Sequence, residues 1–398
     1  MRPLLVDIHT HIYTPRLMQL LRNRTVNPRI HTVKGKEKLA ILPEEVDGGR
    51  PVGPQFWDRG NKLAFMDRHG IDASIISIAN PWLDFLSPKE AIEAANDANI
   101  DLEEWCRPQS EYHAPIDENS GNFSSILPPS LRIRSFGILP FSQDVATSDL
   151  VSTLEQIAES QFLKGAIIGT RGKGKGLDDP ELDSLWKAAE RLNQPLFLHP
   201  HYGVGTDSTK PDGLFGPMAN GHVLPLALGF PFETASAASR LILAGVFDRY
   251  PSLQIILAHS GGALPILSSR LASCIAHDPL VASRLQHDAR YYLGKFYYDA
   301  VCYGSEELEY VAKIIGRSHR FRQVESRSGL DESEEQKLGL GRMMLGSDHA
   351  FFSPLDGRSL WPSLMENIDA VNQAKSLGEQ EKAKILGGTA AKMFNLAA

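Results

Sequence analysis

The chain reads as a (β/α)8 TIM barrel with polar surface insertions, and three observations predict it. Eight short apolar runs recur along its 398 residues, segments of helical period separate them, and the first run ends in two histidines. Nearly continuous apolar runs suit parallel strands covered on their outer face by helices. Strand and helix alternating eight times is the pattern of a closed parallel barrel. The architectural alternative, a doubly wound open sheet, would place a glycine-rich turn where this chain has His-Thr-His. We read residues 1–398 as a single barrel domain.

The elements follow in order. "LLVDIH" (4–9) supplies the first strand, and residues 30–55 form a polar excursion behind it. A helix over "FWDRGNKLAFMDRHG" (56–70), stopped at Gly70, leads to the second strand, "ASIISIA" (73–79). The helical stretch "PKEAIEAANDANIDLEEWC" (88–106) is followed by an insertion over 107–134, rich in Pro, Ser and Asn. The third strand is "SFGILPF" (135–141), and a helix opening at Ser148 or Asp149 connects it to the fourth, "LKGAIIGT" (163–170). Asp179 before Pro180 opens the helix that precedes the fifth strand, "PLFLHP" (195–200). "LQIILAHS" (253–260) is the sixth strand, "PILSSRLASCIAH" (265–277) its helix, and "FYYDAV" (296–301) the seventh strand. A polar insertion, first basic and then acidic, spans 317–340 before the eighth strand, "RMMLGSD" (342–348).

Bulk composition narrows the function. Hydrophobic residues make up 42%, charged residues 22%, and the net charge is −7. No basic field is present to hold nucleic acid or anionic lipid, so a small molecule is the expected partner. The opening apolar run meets Asp7 and His9 too soon for a signal-peptide core, and no segment is long enough to span a membrane. Cys106, Cys274 and Cys302 lie far apart without CxxC spacing, which speaks for a reducing, cytoplasmic setting and against thiolate metal ligation.

The informative residues stand where strands end. His9 and His11 close the first strand, His199 the fifth, His259 the sixth and Asp348 the eighth. In a barrel those ends converge on one rim, where such enzymes keep their active sites. Residues two apart on a strand face the same way, so His9 and His11 point together. Three imidazoles and a carboxylate from His9, His11, His199 and Asp348 suit one Zn2+, with Mn2+ or Fe2+ as the other candidates. A second metal would need a bridging ligand, often a modified lysine, at the end of the fourth strand. That strand ends in Thr170, with Lys164 at its start, so one metal is expected. His201 and His349 adjoin the proposed ligands, and His201 is assigned to packing. His69, His113, His277, His287 and His319 are placed on the surface. The loop "GTRGKGKGLDDP" (169–180) lacks P-loop spacing and reads as a rim loop whose Arg171 or Lys173 meets an anionic substrate.

With these residues placed, "DIHTH", "FLHPHYG", "LAHSGG" and "LGSDHAFF" resemble the amidohydrolase superfamily. More narrowly, they resemble its decarboxylase branch, typified by aminocarboxymuconate semialdehyde decarboxylase. "IANPWLDFL", "GLDDP", "GHVLPLALGFPFET" and "AGVFDRYP" extend the likeness toward the fungal uracil-5-carboxylate (isoorotate) decarboxylases. Two departures are visible: Ala350 stands where a proline is expected, and segment 317–340 interrupts the pattern before Asp348. The resemblance implies a homodimer with one metal on His9, His11, His199 and Asp348. It also implies substrate contacts from Asn80, Arg270 and Phe351, with His259 as a catalytic residue or a hydrogen-bond partner of a ligand.

Loss of CO2 from a ring carbon leaves electron density there, which a metal relieves as Lewis acid and template while a nearby acid delivers a proton. Asp348 is the expected donor, with the pocket raising its pKa, and His259 fixes its geometry. Asn80 offers an amide edge to a pyrimidine, or alternatively caps the next turn. Arg270 receives a substrate oxygen, or alternatively makes a surface ion pair. Phe351 stacks on a flat ring, and Phe352 either joins it or packs in the core. The expected reaction is uracil-5-carboxylate to uracil and CO2. The alternatives are a salicylate- or benzoate-type acid, hydrolysis of a lactone or amide by metal-bound water, and a non-catalytic barrel.

Overall fold

The computed structural model describes residues 2–42, 45, 48–108, 125–201, 222–321, 337–354 and 358–396. Its centre is one eight-stranded, all-parallel sheet formed by β1 (Val6–Ile12), β5 (Ala73–Ile78), β6 (Ile133–Ile138), β7 (Leu163–Gly169), β8 (Leu196–His199), β9 (Ile255–Leu257), β10 (Tyr297–Asp299) and β11 (Met343–Met344). Neighbours in the sheet follow this order, as expected of a (β/α)8 barrel. The ring closes where the last strand meets the first. The Ile8 amide donates to the Leu345 carbonyl at 3.0 Å, Asp348 N to His9 O at 2.8 Å, and Thr10 bridges to His349. All eight predicted strands are present.

The strands form because both faces of each are covered. Every residue of β1, β5 and β6 is buried, and the outer helices supply the second apolar layer. Helix boundaries follow local chemistry. Asp58 caps helix Arg59–His69 by accepting from the Asn61 amide, and Gly70 ends it in the left-handed region at φ 69°, as read from the sequence. Helix Pro88–Cys106 opens with a Ser87/Glu90 capping box. Asp179 accepts from Glu181 N and starts a 3-10 turn that runs into helix Asp183–Arg191. Helix Thr147–Glu159 begins just before the expected start, leaving Asp149 in its first turn. Among the described residues no helix is long and apolar enough to cross a membrane.

The structure redraws the three insertions. Residues 30–55 hold a small antiparallel sheet of β2 (Arg29–Val33), β3 (Lys36–Ala40) and β4 (Arg50–Pro51). The expected insertion over 107–134 gives its last two residues to β6, where Arg134 is buried with its guanidinium on the Ser130 and Ile133 carbonyls. Residues 109–124 and 322–336, the middle of the other two predicted insertions, lie outside the described residues, as does His113. His69 is a correction: it is buried, donates from Nδ1 to Phe65 O at 2.8 Å and accepts from Trp361 N at 2.9 Å.

One irregularity matters for the site. Between Asp7 and Thr10, β1 advances one residue more than its partner β5, a bulge under the segment that carries His9.

Candidate metal centre

His9 and His11 project from β1, His199 ends β8, and Asp348 follows β11; all four are buried. One ligand atom from each lies within 4.8 Å of every other. His9 Nε2 and His11 Nε2 are 3.1 Å apart, and Asp348 Oδ1 is 3.5 Å from both. Metal–ligand bonds of about 2.0–2.1 Å imply donor separations of roughly 3.0–3.4 Å, which these distances approach.

Each imidazole has its other nitrogen tied. His9 Nδ1 donates to Asp299 Oδ2 at 2.5 Å, His11 Nδ1 to Ser77 Oγ at 3.0 Å and His199 Nδ1 to Pro200 O at 2.7 Å. A ring whose Nδ1 carries the hydrogen presents an Nε2 lone pair. His199 Nε2 is buried with no hydrogen-bond partner among the described residues. Three lone pairs and one carboxylate at a common point therefore fit a divalent cation.

The electrostatics favour ligation by two of the three imidazoles and draw positive charge to the third. Burial pulls the His11 imidazole down to about 4 and His199 well below its ordinary value, so both are neutral and ready to ligate. Burial acts on His9 in the same sense, but the Asp299 hydrogen bond and the charges of Asp348, Asp299 and Asp7 outweigh it and raise its pKa. Asp348 corrects an expectation. Burial favours its neutral acid, yet the His11 hydrogen bond and the charges of His9, His259 and His11 win, and its pKa is lowered.

His259 stands beside this group. Its Nε2 is 3.9 Å from Asp348 Oδ2, and its ring lies 5.1 Å from His9 and 5.2 Å from His199. It sits in a turn whose residues His259 and Ser260 have φ of 54° and 52°. Asp299 holds that turn, accepting from His259 N at 2.9 Å and Ser260 N at 2.8 Å. Asp299 thus supports a proposed ligand and His259 together. Sequence reading missed it, although "FYYDAV" places an acid at a strand end, the same signal that marked Asp348.

The other expected residues separate into two groups. Asn80 is buried two residues past β5; its Nδ2 donates to Pro200 O at 3.3 Å, and its Oδ1 has no partner among the described residues. Phe351 meets the His11 ring edge at 5.4 Å. Arg270, by contrast, is exposed on helix Leu264–Ala276, and the structure does not bring it to the cluster. Arg171 is paired with Glu233 at 2.8 Å and Lys173 with Glu181, so ion pairs hold the rim loop. Phe352 is exposed and does not pack in the core.

A cleft of 710 Å³ opens beside Phe351, lined by Arg50, Phe56, Phe351, Phe352 and Arg358 among others. The Arg50 guanidinium lies 4.6 Å over the Phe351 ring and donates to Tyr13 Oη and the Asn80 carbonyl. Nothing in the sequence marked Arg50, because the small β2–β4 sheet is what carries it to the mouth. At the end of β7, where a bridging lysine would stand, the residue is Gly169. A Cβ there would come within 2.7 Å of the His201 ring, which stacks on Trp82 at 4.9 Å.

A closed parallel barrel with three imidazoles and a carboxylate gathered at the carboxyl ends of its strands is the architecture of the metal-binding barrel enzymes. Residues 134–396 match the amidohydrolase family model. The IDCase of Metarhizium anisopliae, solved in apo form, is 33% identical with a TM-score of 0.81, covering 99% of this chain and 98% of its own. The 2-amino-3-carboxymuconate-6-semialdehyde decarboxylase of Dictyostelium discoideum is 25% identical over 99% of this chain and 92% of its own length. The dihydroxybenzoic acid decarboxylase of Polaromonas sp. JS666, solved with bound manganese and 2-nitroresorcinol, shares the fold at 20% identity, with a TM-score of 0.63 and coverage of 99% and 98%. The chain belongs to the amidohydrolase family, in its decarboxylating, carboxy-lyase branch.

Proposed function

We propose that this protein catalyses metal-dependent, non-oxidative decarboxylation of a pyrimidine or aromatic carboxylate, with uracil-5-carboxylate as substrate and uracil and CO2 as products. The observation that carries the pyrimidine reading is the buried, open Asn80 Oδ1 beside the cluster, an acceptor suited to a ring N–H. Likeness to the Metarhizium IDCase over nearly the whole chain supports it. In this reading His9, His11, His199 and Asp348 hold one divalent ion, Zn2+ by the donor set and Mn2+ by analogy with the Polaromonas enzyme. When bound, that ion supplies Lewis acidity toward the substrate carboxylate and a neighbouring ring oxygen.

The chain's own residues do the rest. Phe351 stacks on the ring and Arg50 receives an oxygen at the mouth. Asp348, whose pKa is lowered in the free site, takes up a proton as substrate enters and in that protonated form would no longer be held by the ion. Asp348 then delivers that proton to the ring carbon as the C–C bond breaks and CO2 leaves, and it regains a proton from solvent. His259, kept neutral by burial, orients the Asp348 carboxyl.

We place the protein in the cytoplasm as a single-domain homodimer. Ile266, Leu267 and Arg270 share one exposed helix face, and Phe232 is exposed on the helix packed beside it, as a face between two copies requires. Arg270 can serve substrate only across such an interface. The test is metal analysis with a panel of uracil-5-carboxylate, 2,6-dihydroxybenzoate and a neutral lactone. CO2 from the first alone supports the reading, CO2 from the second alone favours a benzoate-type acid, and turnover of the lactone alone makes the protein a hydrolase.

A further inference from the structure

Lys62 lies on helix Arg59–His69 with no exposed surface, in a layer beneath the candidate ligands. Fully buried lysines are rare unless paired. Its Nζ donates to Thr10 Oγ1 at 2.5 Å, lies 3.9 Å from Asp7 Oδ2 and sits 4.8 Å from the Phe65 ring centre. Both partners reach the turn that carries Asp348. Thr10 Oγ1 donates to the His349 carbonyl at 3.1 Å. Asp7 accepts from Ser347 N at 3.0 Å, from Ser347 Oγ at 2.6 Å and from His9 N at 3.2 Å. The residues on either side of Asp348 are thus tied down, while Asp348 itself holds a left-handed φ of 55°. A backbone in that region persists only when its surroundings over-determine it.

We infer that Lys62 is a positioning residue for the metal centre: through Thr10 and Asp7 it clamps residues 347 and 349, and so sets how tightly the site holds its ion. The inference rests on the metal reading above and adds a residue that touches neither metal nor substrate. Without the ammonium, buried Asp7 loses the lysine charge 3.9 Å away, and Thr10 loses its donor. The turn then relaxes and Asp348 leaves its place among the imidazoles.

The test measures the dissociation constant for Zn2+ against a fluorescent chelator, together with thermal melting, for the full-length protein and its variants. Lys62→Met is expected to weaken metal binding by about tenfold or more, the range seen when outer partners of metal ligands are lost. Thr10→Val, which keeps the ammonium beside Asp7 but removes the hydroxyl that links Lys62 to His349, weakens it in the same direction by less and decides the matter should Lys62→Met fail to fold. Leu102→Ala, in the distant core of helix Pro88–Cys106, lowers the melting temperature and leaves metal affinity unchanged. Variants that melt earlier yet bind Zn2+ like the parent would overturn the clamp and leave Lys62 a plain structural strut. A parent protein that binds no divalent metal would instead overturn the metal reading itself.

Discussion

At the floor of the site, each of three imidazoles has its Nδ1 tied to a second group, and Asp299 and Asp7 accept from backbone amides on both sides. At the mouth, Phe352 is exposed, Arg50 hangs over Phe351, and the lining comes from a two-residue strand, a one-turn helix (Pro54–Trp57) and the segment after β11. The floor is over-determined and the mouth is not. Reactions that share a metal and a proton donor need the same floor, whereas the choice of acid is made by groups that can be exchanged without disturbing it. Damage to the floor is therefore expected to appear as lost metal, and damage to the mouth as lost substrate preference with metal intact.

The largest break in that contrast comes from His11→Ala, which removes a proposed ligand. We expect metal content near zero by elemental analysis and activity lower on the order of a thousandfold, the several kcal/mol that a Lewis acid contributes. Acid attacks the floor next. Burial holds His11 at about 4, so its neutral form stabilises the fold fully above the ordinary histidine value. That stability is lost as pH falls from about 6.5 toward 4, at a cost of about 3 kcal/mol in metal-free protein. Denaturant titrations across that range should show the loss, and added metal should move it to lower pH. Asp299→Asn removes an acceptor from His9 and loosens the His259 turn; a tenfold to hundredfold weaker metal constant is expected. Phe351→Ala should have the smallest effect, a rise in KM of about tenfold, consistent with loss of one aromatic contact, with stoichiometric metal retained. Metal loss in that last variant would collapse the distinction between floor and mouth.

The same contrast explains what the sequence made legible. His9, His11, His199 and Asp348 interrupt apolar runs at strand ends, and the barrel's geometry turns that one-dimensional signal into a place. Asp299 obeys the same rule but lies inside "FYYDAV", followed by further apolar residues, whereas Asp348 closes its run and is followed by His349. Arg50 was illegible, since its position depends on how β2, β3 and β4 fold back over the rim. His69 reads as a surface residue because it lies in the charged stretch "DRGNKLAFMDRHG", where Lys62 carries no signal of its own; packing against Asp7, Thr10 and Trp361 buries both. The low pKa of Asp348 was equally hidden, for it comes from histidines distant in sequence.

The barrel's seam has one more consequence. β1, made first, carries His9 and His11, while Asp348 lies just beyond β11, the last barrel strand, and the hydrogen bonds from Ile8 to Leu345 and from Asp348 to His9 join the two. Domains fold as the ribosome extends them, N-terminal parts first. Two of the four proposed donors must therefore wait through nearly the whole of synthesis for Asp348. If these residues hold the proposed ion, its capture marks a finished molecule: a product cut short before β11 keeps the histidines but lacks both Asp348 and the seam.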